Sequence, residues 1–532
     1  MQEFLFIILN RIELYLLANI ITMIKKLFLC LGIFSAAVFS AQNQFLDPTF
    51  GTNGVFTYTP NNAYGFAYEA GAVTSQNKII VSGSHTAGPY VDQTTNFVQR
   101  LNADGTIDNT FNTLIIPPSN QNGAYTRLQK ICIQPDQKII LGDMMGTKIL
   151  RLNENGTYDM TFGNNGVVNT SILFDPYFPP YGVTGPFRLS NILLTFNNKI
   201  LLCMEIVTDQ EATYMITRLN ENGWIDTSFG NNGLILQKSG FGRLLLQNDS
   251  KIVFIGQKYD GTFLKSRYTT DGILDATYNN NNLQYTPLSG YVTYLFGTAN
   301  SDNNIYIYGF SSSVTGEYAI TLMKLDQYGE LDTTFGTNGI VNEPYYNSNN
   351  YYVDNNGLFP TLLLDNSNNI YVVNMASPTG NSIDMNQFIK KFKPNGSVDT
   401  GFGNNGVVDI DLGYRDTSRS AIITPDQKIM MFGNHQTPSK GIITRVLNNT
   451  NTLSVKNQEA QKESSGVYPN PVKDILYLKN IKSKDLNAEV IDISGKIIMK
   501  LLINNKKVDV SSLVKGVYFL RVGENTHKFI KE

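Results

Sequence analysis

Short apolar runs separated by polar turns recur along most of this chain, and their spacing predicts strands. The run NKIIVSG begins at Asn77, followed by QKIILGD from Gln137, NKILLCM from Asn198, SKIVFIG from Ser250, NNIYIYG from Asn303, NNIYVVN from Asn368 and QKIMMFG from Gln427. Their starts lie about 52 to 65 residues apart, the mark of a structural repeat with insertions of varying length. A second string is interleaved with the first. It reads LDPTFGTNGV from Leu46, IDNTFN from Ile107, YDMTFGNNGVV from Tyr158, IDTSFGNNGLI from Ile225, LDATYNNNNL from Leu274, LDTTFGTNGIV from Leu331 and VDTGFGNNGVV from Val398.

Within one repeat the order is constant. In the second, LQKICIQ precedes the turn PDQ and the run KIILGD, and KILRLN then precedes the turn ENGT and the box ending in GVV. Four short runs of β-branched and aromatic residues, joined mostly by Asn, Asp and Gly turns, predict one antiparallel sheet. Seven such sheets predict an all-β fold, a seven-bladed β-propeller over residues 42–448. The phase adds a closure. The first box has no strands before it, and the last strands, IITPDQKIMMFGN and GIITRVLN, have no box after them. The N-terminal strand is therefore expected to close the last blade, which removes two open sheet edges.

The box is expected to be a construction element. Asp47, Asp108, Asp159, Asp226, Asp275, Asp332 and Asp399 stand at its second position, where a carboxylate accepts backbone N–H groups as in Asx-turns. The aromatic three residues later is expected to pack between neighbouring blades, while Gly and Asn-Gly supply positive φ. The string NADGTID at 102–108 has a faint likeness to a calcium loop, but it lacks the alternating carboxylates and distal Glu that a calcium site needs. With DQKIILGD-type strands paired to RLNENG-type boxes, the units over residues 46–447 resemble the delta-60 repeat, a β-propeller repeat of secreted bacterial proteins. The resemblance implies a fold and no chemistry. The fourth unit departs from it with Tyr278 in place of Phe, and the first lacks the FG tail, so looser blades are expected there.

Charge and cysteine usage narrow the classes. Lys and Arg total 42 against 44 Asp and Glu, which gives no basic footprint for nucleic acid. Cys132 and Cys203 sit inside apolar runs and read as small buried hydrophobes, so no disulfide framework, metal site or cofactor is expected. From Met23 the sequence MIKKLFLCLGIFSAAVFSAQ has the basic pair, apolar core and small residues of an export signal, with cleavage expected near Ser40 or Ala41. Residues 1–41 are thus a signal region, in which 1–22 are expected to lie upstream of the true start. No membrane span is expected in the mature chain.

Candidate chemistry lies in the loops. Second-to-third and inter-blade connections share one face and are long and dissimilar, as at 170–187 and 342–359, whereas the opposite turns are short and repetitive. Their Tyr177, Tyr181, Tyr345, Tyr346, Tyr351 and Tyr352 are candidate contacts for a glycan or protein ligand. His85 and His435, each seven residues after a repeat lysine, are expected on the rim of that face; a metal there would need a third ligand such as Asp92. No nucleophile elbow, phosphate-cradling loop or HExxH helix is present. A binding or adhesion module is the leading expectation. The alternatives are a structural surface protein, or a polysaccharide-active enzyme using carboxylates such as Asp143, Glu205, Asp209 or Glu211.

After Asn448 the character changes. Residues 449–465 read as a polar linker, and 466–532 as a small β-sandwich. Tyr468, Pro469, Asn470, Pro471 and Asp474, then Asp492, Ser494, Gly495 and Lys496, then Leu513, Gly516, Tyr518 and the terminal Lys528–Lys531 run resemble the type A sorting domain of the type IX secretion system. The resemblance implies Sec export, recognition by the type IX machinery, passage across an outer membrane, and release or surface attachment.

Overall fold

The computed structural model describes residues 45–532 apart from 60–64, 87–93, 118–126, 171–186, 207–211, 259–261, 279–291, 313–317, 346–351, 354–360, 382, 437–438, 449–465, 480–486, 493–495, 504–506 and 523–524. Contacts divide the chain into two compact units, Met1–Thr452 and Leu453–Glu532. Both are built of small antiparallel sheets.

Among the described residues the first unit holds seven sheets, numbered here in chain order. Sheet one runs Gly65–Val73, Ile79–Thr86, Thr94–Leu101, Leu114–Ile116, each strand beside the next. Sheets two, three and five repeat this four-stranded order; sheet four shows three strands, from Phe241–Leu246 to Phe263–Tyr268. In sheet six, Tyr352–Val353 and Thr361–Leu364 both pair with Ile370–Ser377. Sheet seven consists of Ser420–Ile423, Ile429–Gln436 and Ser439–Val446, and its fourth strand is Val55–Tyr58 from the other end of the unit. Val55 stands opposite Thr444 and Tyr58 opposite Gly441.

The first strands of the sheets pack on one another in turn. Leu128–Ile133 touches both Gly65–Val73 and Phe187–Leu194, and Phe241–Leu246 touches both Phe187–Leu194 and Val292–Ala299. Thr361–Leu364 touches Val292–Ala299 and Ser420–Ile423, and the latter touches Gly65–Val73. Sheets therefore lie face to face, which explains why the second strands are apolar without alternation. In Ile200–Ile206, Ile200, Leu202 and Met204 pack with Ile140 and Ile149 of sheet two, while Leu201 and Cys203 pack with Leu244 and Phe254 of sheet four. Each such side chain contributes about 1.5–3 kcal/mol on leaving water.

The box Asp does two jobs at once. Asp47 Oδ1 accepts the Thr49 N–H (3.0 Å) and hydroxyl (2.7 Å), closing the local turn. Its Oδ2 accepts Arg445 Nε and Lys428 Nζ, both at 2.8 Å. The same arrangement joins Asp108 to Arg100 and Lys78, Asp159 to Arg151 and Lys138, Asp226 to Arg218 and Lys199, and Asp275 to Arg267 and Lys251. In the repeats of Asp332 and Asp399 the strand lysine is replaced by Asn304 and Asn369, and the arginine by Lys324 and Lys391. Burial alone would raise the Asp47 carboxyl, but hydrogen bonds from Lys428 and Thr49 and the Arg445 charge hold it at about 2. Asp159 is held at about 2 by the corresponding partners.

Six of the seven repeats also hook the next among the described residues. The arginine lies over the box aromatic, as Arg151 over Phe162 at 4.5 Å, and its outer nitrogen donates to a backbone carbonyl in the following repeat's turn. Arg100 reaches Glu154 O (2.8 Å), Arg218 reaches Thr270 O (2.5 Å), Arg267 reaches Gln327 O (2.5 Å), and Arg445 reaches Ala103 O (2.5 Å). A box backbone N–H makes a parallel link, from Gly163 to Asn222 O (2.8 Å) and from Gly51 to Asp104 O (2.7 Å). The departures seen in the sequence keep this geometry. Tyr278 is buried under Arg267 (4.5 Å), and Asn112, where the FG tail is missing, still donates to Asn155 O (2.8 Å).

In the second unit two antiparallel sheets share one core that includes Val472, Leu476, Val490, Val508, Leu520 and Phe529. The start of the module is stitched to its end: Asn470 Oδ1 accepts the Ile530 N–H (2.9 Å), and its amide donates to Lys528 O (3.1 Å). Both X-Pro bonds of the YPNP string are cis. Tyr468 stacks on Tyr477, Tyr518 stacks on Phe529, the Tyr518 hydroxyl donates to Val514 O (3.0 Å), and the Lys496 N–H bonds Asp492. Gly516 opens the strand Gly516–Val522, and Gly495 lies outside the described residues.

Candidate functional site

Charged and polar residues in the middle of a first strand are unexpected here, because that strand is covered by its neighbours. Several occur here. Glu69 in Gly65–Val73, Gln129 in Leu128–Ile133 and Ser190 in Phe187–Leu194 each sit at a register shift. A bulge of this kind re-aims a side chain out of the strand's regular alternation. Glu69 is buried, and its carboxylate is shared by Arg419 (3.2 Å), Arg127 (3.7 Å), Gln129 (3.3 Å) and the Ser84 hydroxyl (2.8 Å). Four sheet segments thus meet on one carboxylate.

A second group lies on sheets two, three and four. Arg243 donates from one outer nitrogen to Ser190 Oγ (3.0 Å) and Gly242 O (3.1 Å), and its guanidinium covers the Phe296 ring at 5.0 Å. Lys130 is close enough to feel that charge: burial first, then Arg243, pushes its ammonium down to about 8. Glu205, opposite Arg188 in the sheet, has its carboxyl raised by burial against the Arg188 and Arg243 charges and the Tyr214 hydrogen bond. The wall formed by these strands therefore carries Arg127, Lys130, Arg188, Arg243 and Arg419 against Glu69 and Glu205.

At the short-turn end of the same strands lies an open cavity of about 680 Å³, between the first turns of sheets two to five. Phe196, 86% exposed, stands at its edge. The long loops leave the opposite end. Tyr177, Tyr181, Tyr346 and Tyr351 of those loops lie outside the described residues, as does Asp92; Tyr352 falls in the two-residue strand Tyr352–Val353.

Two ligand candidates are corrected. Tyr345 is fully buried, its ring against Phe388 and its hydroxyl 2.5 Å from that of Tyr308 and 3.1 Å from the Asn374 amide, so it fills core between sheets five and six. The aromatic end of a strand had the composition of a loop. His435 is not on a rim either. It is a buried strand residue whose Nδ1 lies 2.7 Å from Asp416 Oδ1, and Asp416 in turn accepts the Leu412 N–H (2.6 Å). Burial raises the Asp416 carboxyl despite that contact. His85 is a half-buried strand residue opposite Phe66 and Thr95. Among the described residues no group of three His, Cys, Asp or Glu is arranged to hold a metal. Of the carboxylates considered for catalysis, Asp143 is buried and caps its own turn through Thr147, Glu205 is described above, and Asp209 and Glu211 lie outside the described residues. No helix of the described residues is long and apolar enough to cross a membrane.

Comparison with known proteins places two families on the chain. Residues 466–532 match the secretion system C-terminal sorting domain, and residues 75–111 match the DUF5122 beta-propeller, a domain of unknown function. A 101-residue segment is 31% identical to beta-agarase D of Zobellia galactanivorans, covering 18% of this chain and 20% of that protein. The chain thus spans about a fifth of the length of the curated relative it matches. Among solved structures, a polysaccharide lyase aligns over 77% of this chain and 95% of its own at 11% identity and a TM-score of 0.42. A virginiamycin B lyase from Staphylococcus aureus aligns over 73% and 98% at 10% identity and a TM-score of 0.40.

Proposed function

We propose that this chain, which carries β-propeller repeats ahead of a secretion-system sorting domain, is a secreted or surface-displayed seven-bladed propeller that binds a polysaccharide. The propeller occupies residues 42–448, closes through the strand Val55–Tyr58, and is joined by the linker 449–465 to the tail that the type IX machinery reads. Support for closure comes from the pairing of Val55–Tyr58 with Ser439–Val446 and from the packing of sheet seven on sheet one. An export signal in residues 1–41 completes the route.

One observation carries the binding role: the first strands of sheets one to three re-aim a polar or charged side chain at a register shift, and Arg243 of sheet four and Arg419 beside the first strand of sheet seven add cations next to them. Such groups are costly to place in a wall unless they meet a partner. The agarase segment makes a galactan the first polymer to try. It also favours a second reading, an enzyme acting on that polymer. Saturable binding of the full-length protein to a polysaccharide panel, without new reducing ends, supports the binding module. Release of reducing ends that is lost on Glu205→Gln supports the enzyme, and absence of any saturable binding sinks the proposal.

A further inference from the structure

We infer that Arg243, Lys130 and Ser190 form a site for the anionic groups of an acidic polysaccharide, which rests on the binding role proposed above and specifies its ligand. The two cations come from the first strands of sheets two and four, with Ser190 of sheet three between them. Neither makes an ion pair among the described residues. By contrast, Arg127 and Arg419 of the same wall share Glu69, and away from the wall every box arginine has its aspartate.

Two partly desolvated like charges without a counterion raise each other's cost. Burial first, and then the Arg243 charge, lowers the proton affinity of Lys130. Glu205 does not resolve this conflict: its carboxyl feels both the Arg188 and the Arg243 charges against the burial that raises it, but it forms an ion pair with neither among the described residues. An oxyanion entering here would accept from the guanidinium edge that Ser190 and Gly242 leave free, and from the Lys130 ammonium. A carboxylate or sulfate suits that fork, which donates two parallel N–H groups. Phe296 beneath the guanidinium fixes its plane, and the bulge at Ser190 points its hydroxyl toward sheet four, so the donor set is held before the ligand arrives.

Affinity electrophoresis and titration calorimetry of the full-length protein with polygalacturonate, a sulfated galactan and neutral agarose test this. At least one acidic polymer is expected to bind about tenfold or more tightly than agarose, with an affinity that falls as salt rises. Binding to polygalacturonate alone assigns a carboxylate, and to the sulfated polymer alone a sulfate. Arg243→Gln and Lys130→Met are each expected to cost about tenfold on the acidic polymer and nothing on agarose, with Arg243→Lys recovering part. Melting curves separate folding defects from binding defects. If agarose binds as well as both acidic polymers, or if neither folded variant weakens acidic binding, this inference is overturned while the binding role stands. If no polymer binds at all, both fall.

Discussion

Arg445 Nε meets Asp47 Oδ2 at 2.8 Å across a separation of 398 residues. This contact ties the first box to the last described strand of the propeller unit, and both partners are buried. Removing one partner of a buried pair leaves an uncompensated charge, so Asp47→Ala is expected to lower stability by about 3 kcal/mol. Asp332→Ala should cost only about 1 kcal/mol, because Asp332 is more exposed and has Lys324 as its one cation. Urea midpoints of the two variants check the ordering; equal losses would remove any special weight from the terminal contact.

Acid should loosen the array within a defined window. The folded carboxyls of Asp47 and Asp159 are held at about 2, below the ordinary carboxylate value of 3.8. Between those values the unfolded chain binds more protons than the folded one, so stability rises with pH there. The contribution is complete above about pH 4 and disappears as pH falls toward 2. Urea midpoints measured from pH 5 to pH 2 are expected to drop, and Asp159→Asn should flatten the drop.

At the turn before each second strand a residue adopts positive φ, and in six of the seven repeats it is Asn or Gln; the exception is Ser250 at 63°. The Gln137, Asn303 and Gln427 side chains also accept a backbone N–H from the preceding repeat, which Ser250 does not. Ser250→Gly is therefore expected to stabilise by about 0.5 kcal/mol, since strain is relieved and no bond is lost. Gly54→Ala is the opposite case: φ is 89° and a new Cβ would stand 2.5 Å from the Leu46 Cβ. Its loss should exceed about 2 kcal/mol. Thermal melts of the pair show whether the signs differ.

In the sorting module, Asn470→Ala removes two bonds that hold the terminal strand. A destabilisation of about 1–2 kcal/mol is expected. Faster hydrogen exchange at the Ile530 amide, with the propeller's exchange unchanged, is the readout.

The repeat was legible because its turn chemistry recurs: Asp, Asn and Gly at fixed offsets state where the chain reverses, whatever lies between. The stapling arginine was less legible, since Arg100 and Asp108 stand eight residues apart and meet only once the turn between them folds back. Of the wall's residues only Glu205 was singled out in the sequence. Glu69 in FAYEAGAV, Lys130 in LQKICI and Arg243 in FGRLLL stand at positions where most of the other repeats carry an uncharged residue. A search for recurrence discards such residues as noise. The signal lay there all the same, as a lone charge inside a run otherwise destined for the interior. Tyr345 and His435 failed for the converse reason: aromatic and imidazole groups near loops look available until the neighbouring sheet is in place.

The hooks between repeats end on main-chain oxygens, at Glu154, Thr270, Gln327 and Ala103. A peptide carbonyl offers the same acceptor whatever side chain it bears, so a turn can change residue type without disturbing the neighbour that grips it. At this joint, duplicating a unit, exchanging two units or letting one drift requires no matched side chain next door. The joint is indifferent to sequence on its receiving side, which frees the lead strands to diverge and acquire different chemistry blade by blade.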